Sequence, residues 1–273
     1  MRARQTSGRS DPLQRRDVLD RSGQGAQDER ATGRRREIVG ELRRVAISDG
    51  VEVAYELWAA GQGAPVVLFG HGLYSDRKTS SKSEAFREMA RDGGWAFCAL
   101  DFYGRGDTGG DFAKTSATKC VECLKAVISA LREAGSVDGS RIARIGSSFG
   151  GLASLLYAAR YPNTIRALVL IAPALNLCNN PHISQILPGF DADFYADLAE
   201  QRPFDEAASV AAPTLIVQGD ADDLVPPEVA KRLVGVIPNA QLLILPGVGH
   251  SLPPGRPKIV MVEAVSKFLK RHL

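Results

Sequence analysis

The segment from Gly146 to Gly150 has the sequence Gly-Ser-Ser-Phe-Gly, which matches the pattern Gly-x-Ser-x-Gly. In this pattern the middle serine lies on a sharp turn between a strand and a helix, and its hydroxyl is exposed as a nucleophile. Flanking residues must be small there, and glycine stands at both positions. A predicted strand precedes the segment and a predicted helix follows it. The pattern therefore selects Ser148, and not Ser147, as the nucleophile.

A serine hydroxyl is a weak nucleophile and needs a base to take its proton. Of the four histidines in the chain, His250 follows the last predicted strand in a loop with two glycines. His71 lies at a strand end, where a structural role is expected. His182 lies in an irregular segment, and His272 is next to the C-terminus. We predict that His250 is the general base for Ser148.

An acidic side chain should hold the imidazole of this base in the correct tautomer. Three aspartates, Asp220, Asp222 and Asp223, follow the predicted strand 213–219. Asp220 comes directly after the strand and suits the turn itself, where an aspartate often binds its own loop backbone. Asp223 is expected at the solvated edge, close to the prolines that begin the next helix. Asp222 is therefore predicted to be the acid, and Asp220 is the alternative.

The negative charge that develops on a carbonyl oxygen during acyl transfer needs two N–H donors, which together form an oxyanion hole. The backbone N–H of Phe149 is predicted to be one donor, because it directly follows the nucleophile. The second donor should come from the loop after the predicted strand 65–70, where the sequence reads His-Gly-Leu-Tyr. We assign it to the backbone N–H of Leu73.

Short apolar runs alternate along the chain with amphipathic helical patterns. The predicted strands are 42–48, 51–58, 65–70, 95–101, 141–146, 165–173, 213–219 and 241–246, and the predicted helices are 83–91, 116–134, 151–161, 227–236 and 258–271. Such alternation predicts the α/β class, with a mostly parallel central sheet and helices on both faces. Ligands bind at the carboxyl ends of the strands in these sheets, which is where Ser148, Asp222 and His250 are expected.

Two segments depart from this alternation. Residues 174–211 are irregular and too short for a core of their own, so they are predicted to form a small lid over the strand ends. Residues 1–36 contain ten arginines, four aspartates and one glutamate, with almost no large apolar side chains. Such a segment cannot bury enough surface to offset the entropy of ordering. We expect a disordered basic arm at 1–36 and one α/β domain at 37–273.

The composition limits the function classes that fit. The net charge of the whole chain is +3, and residues 1–36 alone carry a larger net positive charge than this. The rest of the chain is therefore slightly acidic, and nucleic-acid binding is not expected. No apolar run reaches the ~18 residues of a membrane span, and 1–36 lacks the apolar core of a signal peptide. A cytoplasmic protein is expected, and organelle targeting by the Arg-rich N-terminus is the alternative.

Cys120 and Cys123 form a Cys-x-x-Cys pair, which in other contexts signals redox chemistry or a metal site. The pair lies inside a helical pattern, and no second Cys or Cys/His pair stands nearby at zinc spacing. We predict that both cysteines are buried as small apolar residues. No metal and no cofactor are expected.

From about residue 42 to the end, the chain resembles the α/β-hydrolase superfamily. The resemblance rests on the segments Phe69–Asp76, Leu100–Phe112, Gly146–Gly151, Gly219–Pro226 and Gly247–His250. Within the superfamily, the Asp-Phe-x-Gly-x-Gly stretch followed by Asp-Phe is similar to the cinnamoyl/feruloyl esterase group and to the related acyl-protein thioesterase group. The resemblance implies an α/β-hydrolase fold and a serine hydrolase. It also places the acid at Asp222, by its spacing from the Val-Pro pair.

These features predict hydrolysis of small-molecule carboxylic esters, with small to medium acyl groups, through an acyl-enzyme at Ser148. Apolar side chains expected to line the substrate site are Tyr74, Phe190, Phe194, Tyr195 and Leu224. An acyl thioesterase is the alternative, because both reactions pass through one tetrahedral intermediate. A non-catalytic ligand-binding protein is a further alternative, but such proteins usually lack one of the three side chains. The sequence makes no prediction about the oligomeric state.

Overall fold

One sheet of eight strands organises residues 39–273, the part of the chain that the computed structural model describes. The strands are β1 (Glu41–Ala46), β2 (Glu52–Trp58), β3 (Ala64–Gly70), β4 (Ala96–Leu100), β5 (Val137–Ser147), β6 (Ala167–Ile171), β7 (Thr214–Gly219) and β8 (Ala240–Leu245). Their spatial order is β1-β2-β4-β3-β5-β6-β7-β8. Only β2 runs antiparallel to its neighbours, so the predicted mostly parallel sheet is confirmed.

Eight helices accompany the sheet within the described residues. They are α1 (Ser81–Asp92), α2 (Ala117–Glu133), α3 (Phe149–Arg160), α4 (Ile183–Ile186), α5 (Ala192–Glu200), α6 (Pro203–Glu206), α7 (Pro227–Val234) and α8 (Arg256–Leu269). The apolar faces of α1 and α8 pack on one side of the sheet, and those of α2, α3 and α7 pack on the other. Both faces are therefore covered, as a parallel sheet requires.

The side chains of β3 show how the sheet separates two cores. Val66 and Leu68 belong to the core under α2 and α3, whereas Val67 and Phe69 belong to the core under α1 and α8. Side chains alternate between the faces of a strand with a period of two, and here every second residue finds an apolar partner on its own side. Because both faces of β3 are buried, its sequence is a continuous apolar run and not an alternating one.

The starts of β5 and α3 differ from the sequence-based predictions for reasons that the structure shows. β5 begins at Val137, four residues before the predicted start, because Val137 pairs with Ala64 of β3 beyond a register shift. α3 begins at Phe149 and not at Gly151. Gly150 is helical despite its low helix propensity because it packs against the end of β3, where an added Cβ would lie 2.3 Å from the carbonyl oxygen of His71.

The predicted lid at 174–211 is more regular than its sequence indicated, since it contains α4, α5 and α6. Phe194 and Leu198 of α5 are fully buried and join the core that contains α2 and α3. The Asp197 carboxylate accepts hydrogen bonds from the backbone N–H groups of Ala117 (2.8 Å) and Thr118 (3.3 Å), at the start of α2. The lid therefore shares the main core and does not form one of its own.

Cys120 and Cys123 lie on the buried side of α2, as the helical pattern predicts. Burial raises the pKa of the Cys123 thiol to about 12, so the thiolate needed for redox or metal chemistry is disfavoured at neutral pH. Within residues 39–273, no helix combines the length and the apolar character needed to cross a bilayer. The arm predicted at 1–36 lies outside the described residues.

Candidate active site

Three loops at the carboxyl edge of the sheet bring Ser148, Asp222 and His250 together. Ser148 lies between β5 and α3, Asp222 follows β7, and His250 follows β8. The Nε2 atom of His250 is 3.0 Å from the Ser148 Oγ, and its Nδ1 atom is 2.9 Å from the Asp222 Oδ2. One imidazole therefore contacts both the serine hydroxyl and the carboxylate.

Ser148 has backbone angles that few residues other than glycine adopt, with φ 55° and ψ −120°. The strained turn pushes its side chain out of the sheet edge. Gly146 permits this turn, because an added Cβ would lie 2.2 Å from the Ser154 Oγ and 2.4 Å from the Gly150 carbonyl oxygen. The glycines that sequence analysis required on both sides of the serine are therefore needed sterically.

Asp222 is 4% exposed, and its carboxylate is surrounded by donors. One oxygen accepts hydrogen bonds from the backbone N–H groups of Leu224 (3.1 Å) and Val225 (2.8 Å). The other faces His250 and also accepts a bond from the Gln218 side-chain amide at 3.1 Å. These bonds hold the carboxylate in one orientation toward the imidazole.

The two neighbouring aspartates have different surroundings. Asp220 is exposed, and its carboxylate accepts a hydrogen bond from the backbone N–H of Gly247 at 2.6 Å. Asp223 is exposed. Neither is positioned against His250 as Asp222 is, so the geometry favours Asp222 over the alternative, Asp220.

The remaining three histidines lie elsewhere. His71 is buried, and its Nε2 atom accepts a hydrogen bond from the backbone N–H of Phe102 at 3.0 Å. Burial lowers its pKa from 6.5 to about 4, which keeps the ring neutral and able to accept. His182 is exposed at the start of α4, and His272 packs against Phe268 at the end of the chain.

The loop that carries Leu73 lies directly beside the serine. An added Cβ on Gly72 would be 3.3 Å from the Ser148 Cβ and 3.8 Å from its Oγ. Phe149 is the first residue of α3, so its N–H belongs to the free donors of a helix start. Leu73 and Phe149 both line the cleft that contains Ser148.

This loop is attached to the loop after β4 by charged groups that sequence reasoning did not single out. The Asp101 carboxylate accepts bonds from the backbone N–H of Arg77 (2.7 Å) and of Asp107 (2.9 Å), and it also pairs with the Arg77 guanidinium. Arg105 donates to the carbonyl oxygens of Tyr74 (3.0 Å) and Ser75 (3.1 Å). The Asp-Phe-x-Gly-x-Gly stretch contains two of these residues, but only the folded chain shows their partners.

The Ser148 cleft has a volume of about 460 Å³. Its wall includes Ser148, His250 and apolar side chains from the lid and the adjoining loops, namely Leu73, Tyr74, Phe149, Leu177, Ile186, Leu187, Leu224 and Val225. Tyr74 and Leu224, two of the five predicted substrate contacts, line this cleft, and both are largely exposed.

The other three predicted substrate contacts are not among the lining residues of this cleft. Phe194 is fully buried, and it stacks on Phe149 and Phe190 at centroid distances of 6.1 and 4.1 Å. Tyr195 instead uses its hydroxyl to donate to the Leu187 carbonyl oxygen at 2.9 Å. Phe190 also packs against Tyr74. These aromatic side chains hold the lid in place behind the cleft wall.

Comparison with known proteins places the chain in a family. Residues 82–273, more than two thirds of the chain, match the model of the prolyl oligopeptidase family. The chain belongs to the prolyl oligopeptidase family. The matched region contains Ser148, Asp222 and His250, whereas the loop that carries Leu73 lies before it.

Relatives of this prolyl oligopeptidase family member include two mycobacterial proteins. An uncharacterized protein of Mycobacterium tuberculosis is 29% identical over 232 residues, which covers 82% of this chain and 77% of that protein. The monoacylglycerol lipase of Mycolicibacterium smegmatis is 25% identical over 273 residues, covering 82% of this chain and 95% of the lipase.

A solved structure shows the same fold. The structure of Est1E from Butyrivibrio proteoclasticus with ferulic acid bound has a TM-score of 0.76 and 23% identity, covering 84% of this chain and 98% of Est1E. The predicted α/β-hydrolase fold is confirmed. The predicted enzyme class, a carboxylic ester hydrolase, is confirmed as well.

Proposed function

We propose that the protein is a serine esterase in which Ser148 is the nucleophile, His250 the general base and Asp222 the acid that orients it. The observation that carries this proposal is the position of His250, 3.0 Å from the Ser148 Oγ and 2.9 Å from the Asp222 Oδ2. Because Asp222 accepts from Nδ1–H, the Nε2 atom is left free to accept the serine proton.

The first half of the reaction forms an acyl-enzyme. The Ser148 Oγ attacks the ester carbonyl carbon while its proton moves to the His250 Nε2 atom. The backbone N–H groups of Leu73 and Phe149 donate to the carbonyl oxygen as it becomes negative. The tetrahedral intermediate then collapses, and the alcohol leaves with the proton that His250 returns to it.

The second half of the reaction releases the acid. Water takes the place of the alcohol, loses a proton to the His250 Nε2 atom and attacks the acyl carbon. The proton then returns to the Ser148 Oγ as the ester bond to the enzyme breaks. A cleft of about 460 Å³ with an apolar wall suits small to medium acyl groups.

Two measurements test this assignment. A fluorophosphonate probe should label the wild-type chain at Ser148, and Ser148→Ala should remove both the label and the hydrolysis of para-nitrophenyl esters of increasing acyl length. Ser147→Ala is the matched control, because Ser147 precedes the nucleophile in the same turn, and it should keep both. Labelling that persists in Ser148→Ala would contradict the assignment. A folded chain that is neither labelled nor active would support a non-catalytic ligand-binding protein.

The thioesterase alternative uses the same three side chains. A matched pair of an oxygen ester and a thioester with one acyl group separates the two activities. We expect the higher kcat/KM for the oxygen ester, because two relatives over about four fifths of the chain are named lipase and monoacylglycerol lipase. A higher kcat/KM for the thioester would replace the esterase by the alternative.

A further inference from the structure

One charged side chain of the Ser148 cleft has no part in the proposed mechanism. Lys82, the second residue of α1, lines the cleft together with Ser148 and His250. Within residues 39–273 it has neither an ion pair nor a hydrogen bond. Apart from His250, the other described residues of the cleft wall carry no ionisable acid or base except the Tyr74 phenol. The wall therefore presents one unpaired positive charge.

A second lysine stands beside the first. The Lys258 ammonium donates to the backbone carbonyl oxygen of Ser81, the residue before Lys82, at 2.6 Å. Burial lowers the pKa of Lys82, the charge of Lys258 lowers it further, and the Asp222 carboxylate acts in the opposite direction. Neither lysine forms an ion pair in the described part of the chain. Because neither ammonium group is ion-paired with a carboxylate, the two positive charges repel each other, and a bound anion would relieve this repulsion.

The position of Lys82 indicates which part of a substrate it would meet. The wall near Lys82 is polar and includes Ser75, Thr79 and Ser80, whereas the lid supplies apolar side chains. Ser81, the residue before Lys82, accepts its hydrogen bond from Lys258 of α8, the helix that follows the His250 loop. Lys82 thus lies on the His250 side of the cleft. In the proposed mechanism, His250 returns its proton to the leaving alcohol, so the alcohol occupies this side.

We propose that Lys82 is a specificity-determining residue that binds an anionic group, a carboxylate or a phosphate, on the alcohol part of the ester. The acyl part packs against the apolar side chains of the lid. This inference rests on the proposed function, since the two sides of the cleft are assigned from the role of His250. It narrows the substrate class to esters with an apolar acyl group and a negatively charged alcohol.

The test compares matched butyrate esters that differ in the charge of the alcohol. The carboxylate pair is para-carboxyphenyl butyrate and its neutral para-carbamoyl analogue. The phosphate-type pair is para-(phosphonomethyl)phenyl butyrate and its neutral dimethyl ester. The kcat/KM of each ester is measured for wild type, Lys82→Met, Lys82→Arg and Lys267→Met. Lys267 is an exposed lysine of α8, and its replacement changes the net charge equally.

Wild type should prefer an anionic ester over its neutral partner by about tenfold, the scale of one hydrogen bond to a charged group. Lys82→Met should remove this preference by raising the KM of the anionic ester about tenfold more than the KM of its neutral partner. Lys82→Arg and Lys267→Met should retain it. The pair with the larger preference identifies carboxylate or phosphate as the group that is bound.

Two results would overturn the inference, and they differ from failure of the proposed function. Wild type that hydrolyses both members of each pair equally well would overturn it. So would a preference that survives in Lys82→Met, since the charge of the residue would then have no effect. If folded wild type hydrolyses none of the four esters, the esterase proposal itself fails, and the inference fails with it.

Discussion

The Asp220 carboxylate accepts a hydrogen bond of 2.6 Å from the backbone N–H of Gly247, three residues before His250. This bond joins the loop after β7 to the loop after β8. It gives Asp220 a structural partner of its own, while Asp222, two residues further on, faces the imidazole. Neighbouring carboxylates in one short loop thus perform different tasks.

Replacing each aspartate by asparagine, in separate variants, distinguishes these two roles. Asp222→Asn should lower kcat by up to ~10⁴-fold at neutral pH, because an amide in this position stabilises the wrong imidazole tautomer. Asp220→Asn keeps an oxygen that can accept from Gly247, so its kcat should stay within a few-fold of wild type. Steady-state kinetics and thermal melts of both variants test this expectation. A large loss of kcat in folded Asp220→Asn with a mild one in Asp222→Asn would reverse the assignment.

Gly150 should not tolerate even a methyl group. Its replacement by alanine would place a Cβ 2.3 Å from the His71 carbonyl oxygen and 2.7 Å from that of Gly70, and both are backbone atoms rather than the ends of flexible side chains. We expect Gly150→Ala to cost about 1–3 kcal/mol of stability and most of the activity. Gly235→Ala is the control, because its Cβ would meet only the Arg232 carbonyl oxygen at 3.4 Å. Equal melting temperatures for the two variants would contradict this steric account.

The buried His71 predicts a loss of stability in mild acid. Its pKa is lowered from 6.5 to about 4 in the folded chain, so the unfolded chain binds the proton more readily between these values. The free energy of unfolding should therefore fall as pH drops below 6.5, by about 2 kcal/mol between pH 7 and pH 5 from this group. Urea titrations at both pH values measure the effect. In His71→Gln the free energy of unfolding should fall less between the two pH values. An identical fall in wild type and variant would refute the prediction.

Arg144 is a buried cation that has no carboxylate partner among residues 39–273. One guanidinium nitrogen donates to the carbonyl oxygens of Leu68 (3.0 Å) and Ile145 (2.6 Å), while two nitrogens have no partner. Burial lowers its pKa to about 9. Arg144→Met should raise the free energy of unfolding by about 1–4 kcal/mol at neutral pH, because it removes an uncompensated charge. A lower melting temperature in Arg144→Met would show that the guanidinium contacts outweigh its burial cost.

Local sequence patterns were sufficient to predict the sheet and the three loops of the site. The apolar run of β3 and the glycines around Ser148 act through nearby backbone geometry, which a short window of sequence contains. The choice of Asp222 over Asp220 used the order of residues in one loop. These inferences needed no knowledge of how distant elements pack.

The missed features all depend on contacts between distant segments. Phe194 and Tyr74 are both aromatic residues in polar stretches of sequence. In the structure, however, Phe194 is fully buried and Tyr74 is largely exposed. The burial of Phe194 depends on which side of α5 faces the core. Packing against α2 and α3 determines that side. Likewise, Asp101 and Arg77 are 24 positions apart, and no periodicity predicts that one holds the backbone of the other.

The attachment of the lid determines how substrate reaches the serine. Asp197 binds the start of α2, and Glu206 of α6 pairs with Arg160 of α3 at 2.7 Å. The lid is thus attached to two helices of the body, and its aromatic residues pack in the main core. We therefore expect that it does not open as a rigid unit. We expect substrate to enter past Tyr74 and Leu224, since both line the cleft and are largely exposed. Such an enzyme needs no oil–water interface for activation, and its rate should follow dissolved ester smoothly through the critical micelle concentration.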